Sequence, residues 1–377
     1  MRASRFVLPS TIALLVLSAC APKAVSQSDL DTPDYHFRLG VRSLDKGDYA
    51  TAQGAFQRAV DLDKKFAPGW GGLGLAQAYL GNPNAKSSVD RGVKLDGKNA
   101  DVFIFRGRYF IVVQNGGKWP QEAEQDLNKA LQIDPGNESA IYYKGEANFY
   151  SMNFRRAESH FSQVVDMKGS LAGKADERWA TTQKIVRARP GTDAGRKIAI
   201  KAQISRADLT VLFSEELRLA EVFSRMAPVG GQSAAFRPPG AAAAPSGPAT
   251  PSDVAGTWAE PWIMEVLKLG IFEVDPSGMF YPDEPVTRVG YAMAVQRILT
   301  TATRDASLDT RYFGESSSRF SDVPSSHFAY NAMALASERG IMKADLMTGQ
   351  FNPGGAVSGA DALLIIREIQ KSLRITF

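Results

Sequence analysis

One pattern recurs four times between residues 34 and 168, at spacings of 33, 38 and 34 residues, and it leaves few folds open to that stretch. The closing segments align as Ala59-Val60-Asp61-Leu62-Asp63, Gly92-Val93-Lys94-Leu95-Asp96, Ala130-Leu131-Gln132-Ile133-Asp134-Pro135 and Val164-Val165-Asp166-Met167. Upstream, Leu39-Gly40, Leu73-Gly74, Gly107 and Gly145 recur in register. Between them lie small and large residues at helical spacing: Ala52, Phe56 and Ala59; Ala123, Leu127 and Ala130; Phe154, Ala157 and Phe161. The longer third copy takes its extra residues at Gly116–Pro120, where a turn is predicted. A period of this length describes a pair of helices that cannot bury its apolar face alone and must stack on its neighbours.

This pattern resembles the tetratricopeptide repeat family, which implies an α-solenoid over 34–168, with a capping helix at 170–189 that carries Trp179, Ile185 and Val186. The family's inward positions fall on Phe37, Val41, Leu44, Leu75, Tyr79, Ile104, Arg108, Tyr142, Glu146 and Phe149. The resemblance makes these a groove for a protein partner that the sequence does not identify. The Lys/Asn/Arg set that grips a terminal carboxylate in some members of the family is absent, so an apolar or aromatic internal segment is the expected occupant. One competing motif lies inside the repeats. Gly69-Trp70-Gly71-Gly72-Leu73-Gly74 spells G-x-G-x-x-G, but a charged helix end precedes it where a dinucleotide site needs a strand.

A second pattern begins after a Pro/Ala/Gly-rich linker at 227–252. Over 253–302 its landmarks are Asp253-Val254, Trp258-Ala259, Gly270-Ile271, Gly278, Phe280-Tyr281-Pro282 and Thr287-Arg288. After a short linker at 303–319 they return over 320–377 as Asp322-Val323, His327-Phe328-Ala329, Gly340-Ile341, Gly349, Phe351-Asn352-Pro353 and Ser358-Gly359. Both units are similar to the S-layer homology (SLH) repeat. A degenerate first copy at 190–226 retains only Ser205-Arg206-Ala207-Asp208 and its helix. Ser205, Thr287 and Ser358 stand where helix N-caps are predicted. The resemblance implies a small helical pseudo-trimer with grooves for anionic wall polymer, lined by Arg206, Arg288, Asp253, Asp322, Trp258 and His327. At the third arginine position stands Gly359, so one groove is expected to be defective. The fold class is therefore mainly α, a tetratricopeptide-like solenoid followed by an SLH-like pseudo-trimer.

The start of the chain bears on location. Arg2 and Arg5 bracket the start, and an apolar run from Phe6 to Leu17 ends in Leu17-Ser18-Ala19-Cys20, with Cys20 the only cysteine of the 377 residues. The run is too short to span a bilayer and fits a secretory signal. It resembles a lipoprotein lipobox, which implies loss of residues 1–19, acylation of Cys20, a tether at 20–33 and a lipid-anchored place in the cell envelope. Ala21, rather than Asp, follows the cysteine, so the outer membrane is the expected destination in a cell with two membranes.

One cysteine rules out a disulfide framework and a Cys-rich zinc site, and the three histidines are scattered. No metal, cofactor or catalytic set is expected. A basic stretch (Lys184, Arg187, Arg189, Arg196, Lys197, Lys201, Arg206) reads as a solvated face or as a surface that attracts envelope polymer; nucleic acid is not an expected partner of an exported chain. The sequence thus points to a non-enzymatic envelope scaffold that binds a protein through its repeats and cell-wall polysaccharide or peptidoglycan through its C-terminal module. The alternative is an assembly or secretion accessory lipoprotein in which that module is structural only.

Overall fold

The computed structural model describes residues 31–226 and 249–374; Cys20 and most of the 227–252 linker lie outside them. The described residues are mainly helical, contain no strand, and divide into two compact units at Gly136/Asn137.

The first unit consists of three helical hairpins: α1 (Pro33–Asp45) with α2 (Tyr49–Leu62), α3 (Ala67–Tyr79) with α4 (Ala85–Leu95), and α5 (Ala100–Val113) with α6 (Trp119–Ile133). Local chemistry sets their starts. The side chains of Thr32, Asp48 and Asn99 accept amide hydrogen bonds from the first turns of α1, α2 and α5, and prolines occupy the first turns of α1, α3 and α6. Gly47, at φ +76°, allows the reversal between α1 and α2.

The G-x-G-x-x-G segment is the body of α3 and is buried along most of its length. Its glycines serve helix packing: a Cβ on Gly74 would lie 2.6 Å from the Val89 amide nitrogen of α4, and one on Gly72 would lie 2.4 Å from the Phe56 ring. This close approach leaves room for a core of Phe56, Leu73, Leu75 and Phe105. Each fully buried side chain of this size contributes about 1.5–3 kcal/mol.

The second unit begins with a fourth hairpin, α7 (Glu138–Tyr150) and α8 (Phe154–Met167), followed by α9 (Ala172–Ala188). Helix α9 packs against α8 on one side and against the last helix of the chain, α16 (Gly359–Ser372), on the other. Lys184 of α9 pairs with Asp361 at 2.8 Å, and Arg367 donates to the carbonyls of Ala188 and Arg189 that end α9. The helix expected to cap the repeats thus also seats the C-terminal module.

Six of the ten residues assigned to a protein-binding groove are core instead. Leu44, Leu75, Ile104, Tyr142, Glu146 and Phe149 are buried. In the second unit the cause is α9, whose Arg178 meets Glu146 at 2.9 Å and donates to the Tyr150 hydroxyl. Burial pushes the Glu146 carboxyl up from its usual range, against the pull of Arg178. In the first unit Phe37 joins an aromatic cluster with Phe56, Phe66 and Phe105, and Val41 packs on the same core. Arg108 lies beside Phe105, its guanidinium 5.9 Å from the ring. Only Tyr79 stays well exposed, stacked on Tyr49 at 4.1 Å.

Candidate functional site

The C-terminal module is assembled from α10 (Asp193–Ala199), α11 (Arg206–Glu215), α12 (Leu219–Met226), α13 (Glu260–Lys268), α14 (Arg288–Thr303), α15 (Tyr330–Glu338) and α16. Three of these, α11, α14 and α16, start at equivalent hydroxyl caps: Ser205 accepts from Asp208, Thr287 from Gly290, and Ser358 from Asp361. The residue before each cap closes a ring of backbone hydrogen bonds. Ile204 donates to Val357, Val357 to Val286, and Val286 back to Ile204, at 3.0, 3.3 and 2.9 Å. All three residues are buried. This cyclic arrangement sets the three capped helices around a pseudo-threefold centre.

The segment 303–319, read from the sequence as a linker, is part of the packed body. Leu308 and Tyr312 are buried, and the Asn331 side chain bonds the Leu308 carbonyl and the Tyr312 amide.

Two of the three repeat junctions repeat one arrangement. At the first, the amides of Arg206 and Ala207 donate to the carbonyls of Glu284 and Pro282, and Arg206 Nε donates to the Phe280 carbonyl at 2.9 Å. The Arg206 guanidinium lies 4.7 Å from the Phe280 ring centre and 5.1 Å from that of Phe272. At the second junction the amides of Arg288 and Val289 donate to Gly355 and Pro353, while Arg288 Nε donates to the Phe351 carbonyl at 2.7 Å. Its guanidinium lies 4.8 Å from the Phe351 ring, and Nη2 donates to the Lys343 carbonyl.

The same two phenylalanines carry the aspartates. Phe280 and Tyr281 donate their amides to Asp253, and Phe351 and Asn352 donate theirs to Asp322. Asp253 and Asp322, expected at polymer contact, thus make hydrogen bonds within the fold. Their carboxylates hold the Phe-x-Pro loops, and each loop in turn orients an arginine. Tyr281 and Asn352 sit at these bends with φ of +57° and +56°.

Both guanidiniums are part-buried and short of full compensation. Burial lowers the pKa of each from its usual value, opposed by Glu284 and Asp253 at Arg206, and by Asp361 and Asp322 at Arg288. The nearest of these acids, Glu284, is 4.0 Å from Arg206 and largely exposed. A guanidinium nonetheless remains charged.

The third junction is closed rather than merely unarmed. Gly359 donates its amide to Lys201, and a Cβ on it would lie 1.8 Å from the Ile198 carbonyl oxygen. The backbone at the end of α10 fills the position where the other junctions hold an arginine.

The remaining expected contacts lie outside these arginine clusters. Trp258 is 58% exposed beside Trp262, whose indole donates to Glu215. His327 accepts the Ala329 amide at Nδ1 and stacks on Phe328, which is 74% exposed. The phenylalanine platforms went unread in the sequence, although Phe280 and Phe351 occupy matching places in the two Gly-x-Phe-x-Pro segments. The Lys343 carbonyl leaves no sequence signal, because any residue supplies one.

Among the described residues no helix is long and apolar enough to cross a membrane. Compared with known families, residues 252–288 and 319–363 match the S-layer homology domain. No curated protein sequence matches the chain.

Proposed function

We propose that this chain is a non-enzymatic, lipid-anchored envelope protein whose C-terminal module holds anionic cell-wall polymer at Arg206 and Arg288. The family match over 252–288 and 319–363 supports wall or envelope binding as the role of that module. The observation that carries the reading is the repeated Asp–Phe–Arg arrangement. Twice, a loop held by an aspartate offers its phenylalanine ring and carbonyl to a part-buried arginine whose charge is incompletely matched. Such a guanidinium is pre-oriented for carboxylate or phosphate. The helical hairpins serve a protein partner, and acylated Cys20 supplies the membrane tether.

Sedimentation with purified wall tests the polymer site. Arg288→Ala is expected to weaken binding by about 1.5–3 kcal/mol, roughly tenfold to a hundredfold, the scale of hydrogen bonds to a charged group. Because Arg288 also bonds two carbonyls within the fold, Arg288→Met, which keeps the stem over Phe351, is measured beside it, with melts for both. Wall binding by both folded variants equal to that of the unsubstituted chain removes this groove. The internal use of Asp253 and Asp322 favours one other reading, a module that is structural only in an accessory lipoprotein. Failure of the unsubstituted chain to sediment with wall selects it.

Fractionation tests the tether. Cys20→Ser is expected to shift the protein from the membrane to the soluble fraction or to leave it unprocessed. Normal maturation and membrane partition of the variant refute lipidation at that position.

A further inference from the structure

A second basic feature of the same unit is built from residues that the two grooves do not use. A cavity of about 500 Å³ opens between the start of α8, the end of α9 and the segment that leads into α10. Four arginines line it, Arg155, Arg156, Arg189 and Arg196, around an apolar wall that includes the buried side chains of Phe154 and Ile185. No acidic residue is among the lining. Arg196 pairs with Asp193 at 2.6 Å, whereas Arg155, Arg156 and Arg189 have no carboxylate partner among the described residues.

Exposed arginines are ordinary singly, because water solvates each one. Here three separate chain segments bring four of them to one concavity, where like charges repel. The fold also fixes the backbone that carries one of them. Arg189 ends α9 in the left-handed region at φ +49°, its amide donates to Ile185, and its carbonyl accepts from Arg367. Positioned guanidiniums beside an apolar wall suit a ligand that presents several anionic oxygens together. A lone carboxylate would leave most of the charge unmatched, whereas successive phosphates engage several planar forks at once.

We propose that this arginine-lined cleft between α8 and α9 binds an oligophosphate or phosphodiester-bearing group. The site is additional to the wall-polymer grooves and does not depend on them. Its chemistry fits a phosphate carried either on a soluble or polymeric molecule or on a lipid headgroup.

The test titrates the full chain with tripolyphosphate by calorimetry and, separately, with vesicles of phosphatidylglycerol in phosphatidylcholine. The unsubstituted chain is expected to bind tripolyphosphate, and the double variant Arg155→Gln/Arg156→Gln at least tenfold more weakly. Arg155→Glu alone, which changes the charge by the same two units, is expected to weaken binding comparably. Both substituted positions are exposed on the first turn of α8, and a thermal melt verifies the fold. Binding of tripolyphosphate without vesicle binding assigns a soluble or polymeric phosphate. Binding of both, each weakened in the double variant, assigns a headgroup as well. Affinities of the double variant within twofold of the unsubstituted chain overturn the proposal, as does failure of that chain to bind either probe. The same titration with Arg288→Ala separates the two sites. A loss confined to Arg288→Ala rejects the cleft and leaves the groove standing, and a loss confined to the double variant assigns the cleft whatever the wall assay returns.

Discussion

Replacing Gly359 with alanine is expected to destabilise the second unit by more than ~3 kcal/mol, a cost on the scale of severe overpacking. The added Cβ would stand 1.8 Å from the Ile198 carbonyl oxygen, 2.6 Å from the carbonyl carbon and 3.0 Å from the Ala199 Cα. All three are backbone atoms, so no rotamer change clears the space. Relief requires α10 to withdraw from the start of α16, which also breaks the Gly359–Lys201 hydrogen bond. For a domain of 150–250 residues each kcal/mol is worth about 2–4 °C, so the melting temperature should fall by at least about 6 °C. A thermal melt of the variant measures this directly, and an unchanged melt would mean that the junction yields. From the sequence, Gly359 only leaves one groove without its arginine. The geometry makes survival of the fold the question.

A comparable loss is expected at Glu216, which is buried behind Arg367. Its carboxylate accepts the amides of Gly191 and Thr192 at 3.2 and 2.9 Å and the Thr192 hydroxyl at 2.8 Å, and it pairs with Arg367. Glu216→Ala leaves these donors unmatched and should cost about 3–5 kcal/mol, the scale for removing one partner of a buried pair. The pH dependence follows from the same contacts. Burial alone raises the carboxyl pKa, but the amides of Thr192 and Gly191, the Thr192 hydroxyl and Arg367 outweigh it, holding the group below its usual range. A depressed carboxyl contributes stability that is fully present above its unfolded pKa of about 4.3 and is lost as pH falls through the folded value. Denaturant unfolding of the unsubstituted chain and of Glu216→Gln should therefore show a gap at pH 7 that narrows under acid. A gap constant across that range would show that the charge of Glu216 does not stabilise the fold.

The helical hairpins were legible because their signals are local. Small residues such as Gly74 and Gly107 mark where helices approach, large ones such as Phe56 and Phe161 mark what fills the spaces, and the period ties them together. The three hydroxyl caps of the C-terminal module were legible for the same reason. Solvent exposure was not, because it depends on what arrives from elsewhere in the chain. Tyr142 and Glu146 were expected to face a groove, yet α9 lays Arg178 over them, and nothing in residues 138–150 announces that cover. Arg206 and Arg288 were found by motif alignment, while their carbonyl partners on Phe280, Phe351 and Lys343 come from backbone that carries no sequence identity. The aspartates illustrate the difference most directly. The family resemblance implied ligand contact, while their hold on the Phe-x-Pro loops is visible only in the fold.

The closed ring through Ile204, Val286 and Val357 constrains the order in which the chain can become itself. Two of its three links join to Val357, close to the C-terminus, so during synthesis the earliest member must wait for the latest. Roughly 150 residues separate Ile204 from Val357, which at about 5–20 residues per second is on the order of ten to thirty seconds of translation. Until then Ile204 and Val286 hold only one link between them, and the contact that seats α9 on α16 has no second half. A chain stopped before Val357 is therefore an open arc with an apolar centre, a natural substrate for chaperones and proteases. Completion of this repeat is what turns a growing polypeptide into a finished module.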